Sequence, residues 1–95
     1  MSNKEVFTSI VSSEIEKLGT AIQDLQNKMK DVSAETKSAY YKELERITKK
    51  KKELESKIDS AKEAAEDASK EIKTGIEYGI DDLKKAIDQI TSKLN

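Results

Sequence analysis

From Ile15 the apolar residues fall at Ile15, Leu18, Ile22, Leu25, Met29 and Val32, in steps of three and four. That alternation places them on one stripe of an α-helix, the heptad pattern of helices that pack along their length. A second stripe runs Tyr40, Leu44, Ile47, Lys51, Leu54, Ile58, Ala61, Ala65 and Ala68, with one lysine in the seam. Beyond it lie Ile72, Ile76, Gly79, Leu83, Ile87, Ile90 and Leu94. Here an eleven-residue spacing is visible, with Ala61, Ile72, Leu83 and Leu94 in one row and Ala65, Ile76 and Ile87 in another. Heptads and eleven-residue repeats are both helical periods that drift in opposite senses around a straight helix. The expected fold class is therefore all-α, with long amphipathic helices.

Punctuation between the helices is sparse. Ser2 with Glu5 resembles a capping box and can open the first helix. Residues 30–35 contain two N-cap residue types, Asp31 and Ser33, and the apolar phase slips between Val32 and Tyr40. Ser60 with Glu63 is another capping-box match, yet the seam through Ile58, Ala61 and Ala65 passes it without a slip. The reading is a single domain over 1–95, with candidate turns near 31–35 and 59–61. The preferred arrangement is an extended coiled coil or helical hairpin, a helix over about 3–31 followed by a long one over about 35–93. The alternative is a three-helix bundle of segments 3–31, 34–59 and 61–93.

Composition supports long helices and removes much chemistry. Proline is absent, glycine occurs three times, and Leu, Ile, Val and Phe make up about a fifth of the chain. Charged residues are 39 %, but 18 basic against 19 acidic leaves a net charge of −1. Low hydrophobicity without high net charge is not the signature of a disordered chain. The absence of Cys and His removes disulfides, thiol chemistry and histidine acid–base catalysis. It also removes the Glu-x-x-His ligand set of two-metal helical bundles. Acid-before-base pairs at i, i+4 (Asp24–Lys28, Glu45–Lys49, Glu53–Lys57, Glu66–Lys70 and Asp81–Lys85) suit solvent-facing helix surfaces. Neither a basic-then-apolar leader nor an apolar run of membrane-spanning length is seen. The expected location is cytoplasmic.

Three features invite a functional reading. The run Lys49–Lys52 could meet nucleic acid or an anionic surface, but four consecutive helical residues point around nearly the whole circumference. A solvated segment is the preferred reading, and no nucleic-acid partner is expected. Gly75 and Gly79 form a small-xxx-small pair that permits close helix approach, with a local soft spot as the competing reading. Neighbouring acids such as Asp81 and Asp82 diverge by about 100° around a helix and do not share a site. No phosphate-binding loop and no nucleophile–base pair is present, so no catalytic, cofactor or metal residue is assigned and an enzyme is not expected.

The segments Lys37–Arg46, Lys52–Glu55, Asp67–Glu77 and Asp81–Ala86 together resemble a group of short, uncharacterised bacterial coiled-coil proteins. The resemblance spans roughly residues 20–90. It implies a helical cytoplasmic protein with no catalytic residues to transfer.

The functional expectation is a structural or interaction protein. Its apolar stripe would pair with a second copy of the chain or with a partner helix, through Ile15, Leu18, Ile22, Leu25, Met29, Val32, Tyr40, Leu44, Ile47, Leu54, Ile58, Ile72, Ile76, Gly79, Leu83, Ile87, Ile90 and Leu94. The alternative is an amphipathic, conditionally folded protein that coats membrane surfaces or protects other macromolecules. Surface-active helices need a wide apolar face, and this stripe is one or two residues wide, which favours the first class.

Overall fold

The computed structural model describes residues 3–63 and 70–94. Three helices account for nearly all of them: α1 (Asn3–Met29), α2 (Ala34–Glu63) and α3 (Lys70–Leu94). Each carries an acid in its first turn and a lysine in its last: Glu5 and Lys28, Glu35 and Lys62, Glu71 and Lys93. Both placements oppose the helix dipole.

The α1–α2 connection falls on residues 30–33. Lys30 and Asp31 donate their N–H groups to the carbonyls of Asn27 and Lys28, tightening the last turn of α1. Ser33 then caps α2: its hydroxyl accepts the Thr36 N–H at 3.2 Å and its carbonyl accepts that of Lys37 at 3.0 Å. Ser60 and Glu63, the second capping-box match, lie inside α2, and so do residues 59–61, the second candidate turn. Ser2, Ala65, Ala68 and the pair Glu66–Lys70 involve positions outside the described residues.

The direction of α3 decides the architecture. Lys50 meets Asp82 at 3.5 Å, and Leu54 lies against Gly79. Residue numbers rise on one helix as they fall on the other, so α2 and α3 are antiparallel. Phe7 lies beneath Lys73, and Glu14 meets Lys84, so α1 and α3 run parallel. The molecule measures 50 × 19 × 17 Å. An unbroken helix over 35–93 would extend about 88 Å at 1.5 Å per residue. The all-α class holds, and the arrangement is the three-helix bundle.

One core runs the length of the bundle. Val11, Ile15, Leu18, Ile22, Leu25 and Met29 of α1 meet Leu44, Ile47, Leu54, Ile58 and Ala61 of α2 and Ile76, Ile80, Leu83, Ile87 and Ile90 of α3. The α3 set is spaced by four, three, four and three. Of the eleven-residue row, Ala61 and Leu83 are core residues and Leu94 packs against the core, whereas Ile72 is exposed, and Ala61 belongs to a different, antiparallel helix. A period read across a chain reversal joins residues that share no face.

Candidate functional site

The expected seam lies almost wholly inside this single chain. Ile15, Leu18, Ile22, Leu25, Met29, Leu44, Ile47, Leu54, Ile58, Ile76, Leu83, Ile87 and Ile90 are buried. Val32, Tyr40 and Leu94 are partly buried against the same core. Gly79 is half-buried against Leu54.

Ile72 departs from the expectation and is 44 % exposed. It sits at the edge of α2 and α3 among Lys57, Ser60, Glu71 and Gly75. Ile80, absent from the expected seam, takes a core place one turn beyond Ile76. Val11 and Thr8 were also missed, although steps of four and three back from Ile15 reach both. Thr8 is buried with its hydroxyl donated to the Glu5 carbonyl at 3.3 Å, so it enters the core without a lost hydrogen bond.

The lysine run is divided among three directions. Lys50 reaches Asp82 on α3. Lys51 lies along α1 over Gly19, where a β-carbon would stand 3.0 Å from its Cε, and its ammonium pairs with Glu55 at 2.9 Å. The apolar stem of a lysine can fill a seam position while its charge stays in water. Among the described residues, Lys49 and Lys52 form no ion pair with either neighbouring helix. They border a shallow groove of about 530 Å³ beside α1 and α2, together with Lys30, Lys37, Glu45 and the uncharged residues Gln26, Met29, Tyr41, Leu44 and Thr48. The Thr48 hydroxyl is donated to the Leu44 carbonyl at 2.9 Å, which leaves the groove floor mainly carbon. Tyr41 projects beside it, 61 % exposed. Of the expected i, i+4 pairs, Asp81–Lys85 closes at 3.1 Å, whereas Lys49 and Glu45 form no ion pair.

A second surface lies at the amino-terminal half of α1. Val6 and Ile10, one turn apart, are 42 % and 58 % exposed. Ile10 shares a cleft of about 360 Å³ with Phe7, Val11 and Ile80, rimmed by Glu14, Glu77, Asp81 and Lys84. Glu14 and Lys84 are joined at 2.8 Å. That bond holds the Glu14 carboxyl below the usual carboxylate range and raises Lys84 above the usual lysine range.

Among the described residues no group of three or more acidic side chains is placed to hold a metal ion, and no helix is long and apolar enough to cross a membrane. Comparison of the chain with protein-family models, with curated proteins and with solved structures finds no match. The surfaces above are therefore the chain's own indication of what it does.

Proposed function

We propose that the protein is a non-enzymatic interaction module of the cytoplasm, acting by binding helices, those of a second copy included. The observation that carries this reading is the Val6–Ile10 surface. Single exposed apolar residues are ordinary, but a contiguous apolar patch rimmed by polar groups is a common mark of an interaction site. Here Val6 and Ile10 are exposed one turn apart on α1, and Ile10 borders a cleft lined by Phe7, Val11 and Ile80. The rim carries the acids Glu14, Glu77 and Asp81 with the single base Lys84, so association of two copies should strengthen as salt screens the rim. Self-association through the heptad stripe would require the bundle to open, since one chain already covers that stripe. The Val6–Ile10 surface needs no opening. The resemblance to short bacterial coiled-coil proteins fits the same reading.

Sedimentation equilibrium from micromolar to millimolar concentration tests it. The wild-type chain should associate, and Ile10→Glu should remain monomeric with unchanged helicity, because Ile10 lies outside the core. A wild-type chain that stays monomeric throughout removes the self-association. The lipid-coating alternative requires the buried faces of all three helices to turn outward. Co-sedimentation with anionic vesicles, accompanied by loss of the folded bundle's thermal transition, would favour it instead.

A further inference from the structure

The groove beside Tyr41 differs from the Val6–Ile10 patch in the sign of its excess charge, basic here and acidic there. Lys30, Lys37, Lys49 and Lys52 surround it against a single acid, Glu45. Some lysines elsewhere in the bundle are answered: Lys50 by Asp82, Lys51 by Glu55, Lys84 by Glu14 and Lys85 by Asp81. None of the four around the groove is ion-paired among the described residues. Uncompensated charge of one sign beside an apolar floor draws in a partner of the opposite sign.

We propose that this groove binds an acidic amphipathic helix of a partner protein. Its α2 wall, from Lys37 to Lys52, covers about 22 Å at 1.5 Å per residue, the length of four helical turns. Met29 and Leu44, both at the edge of the core, line the groove floor, and the exposed Tyr41 stands beside them. A thioether adapts to whatever side chain lands on it, and a tyrosine supplies a rigid ring with a polar tip. Lys30 and Lys37 stand near the α1–α2 turn, and Lys49 and Lys52 stand three to four turns away along α2. The complementary helix therefore carries an apolar stripe flanked by carboxylates towards both ends. Shape argues against a small anionic amphiphile. Small-molecule sites bury most of their ligand, and this groove is open along its outer side. A helix needs only one stripe covered.

The proposal rests on the reading that the protein binds helices, but it uses a different surface from the Val6–Ile10 patch, so the two fail separately. The test uses the full chain with ¹³C-labelled methionine methyl groups, which reports directly on Met29. Three probes are titrated: a synthetic helix of about five turns with a leucine stripe flanked by glutamates, the same peptide with lysines for glutamates, and phosphatidylglycerol vesicles. The glutamate peptide should shift the Met29 methyl signal saturably and bind more weakly as salt rises. The double variant Lys37→Glu, Lys52→Glu should weaken that binding about tenfold or more. It should melt near the wild type, since neither side chain is buried or paired, and it should gain binding of the lysine peptide. Equal binding of both peptides to the wild type overturns the proposal. So does binding that leaves Met29 unmoved, absence of binding by the glutamate peptide, or occupation of the groove by the vesicles in its place. A monomeric wild type in sedimentation bears on self-association alone.

Discussion

One turn of α2 faces two glycines, and the two contacts are built differently. Leu54 lies against Gly79 of α3, and Lys51 lies over Gly19 of α1. Leu54 is 2 % exposed, and its δ-methyl occupies the place a β-carbon on residue 79 would take. Ile76 and Leu83, a turn to either side of Gly79, are wholly buried. Lys51 reaches from the seam to Glu55 with its side chain partly in water. A leucine enclosed on all sides has nowhere to go, whereas a lysine stem can swing outward. The α2–α3 contact is thus fixed by packing density, and the α1–α2 contact at the same level is adjustable. A glycine in a helix says little about an interface until the freedom of its neighbour is known.

The largest effect that tests this contrast is at α2 itself. Leu54→Ala should cost about 2–5 kcal/mol, the lost transfer energy plus an unfilled cavity between Ile76 and Leu83. Leu54→Asp should abolish the folded bundle, because a carboxylate there would be desolvated without a partner. Lys51→Ala loses part of a stem and an exposed ion pair, for under about 1 kcal/mol. Urea unfolding monitored by circular dichroism measures all three. Losses of similar size at Leu54 and Lys51 would break the distinction between the two interfaces.

The glycines come next. Alanine for glycine in a helix interior gains about 1 kcal/mol in propensity. At Gly75 nothing lies within 4 Å of a new β-carbon, so Gly75→Ala should realise nearly the full gain. Gly19→Ala must displace the end of the Lys51 side chain, which is flexible, and should gain less. Gly79→Ala must move Leu54 within the core, and overpacking costs about 1–3 kcal/mol. It should lower the melting temperature, and Gly79→Leu should lower it further. Thermal melts of the four variants give the order, and a rise at Gly79 would show that Leu54 has space the structure does not reveal.

These contrasts also show what the sequence conveys. The stripe from Ile15 to Met29 was legible because one helix faces the core continuously and its period survives intact. Ser33 was legible because capping depends on local chemistry. The core side of α3 was read less well. Gly79 and Ile80 are adjacent, both near the core-facing arc, and hydrophobicity alone ranks neither against its neighbours on other helices. Ile72 keeps the helical phase of Ile76 and Leu83 but meets Lys57 and Ser60 on α2, a property of register between antiparallel helices. Register is invisible in a pattern along one chain. The Tyr41 groove was missed for a related reason. Lys30 and Lys37 come from either side of a turn, and folding brings them beside Lys49 and Lys52. Tyr41, which the stripe through Tyr40 and Leu44 leaves aside, lines that groove.

The smallest expected effect lies on the third interface, α1 against α3, where contact at the rim is electrostatic. Glu14 bonds Lys84 at 2.8 Å, and its pKa is lowered chiefly by that hydrogen bond and then by the lysine's charge. A carboxylate whose folded-state pKa lies below its unfolded value stabilises fully above the unfolded value, and the gain is lost as pH falls through the folded value. Lys84 is raised, so its share is present below the unfolded lysine value and lost as pH rises through the folded one. The pair therefore contributes across the neutral range and fades at both extremes. Both groups stand in water, where such pairs add little. Melting curves of wild type and Glu14→Gln should differ slightly at neutral pH and converge in acid below the carboxylate range. A neutral-pH difference larger than that of Gly79→Ala would place rim charge above core packing and invert the ranking of the three interfaces. A difference that grows in acid would show that Glu14 is held by something other than the lysine beside it.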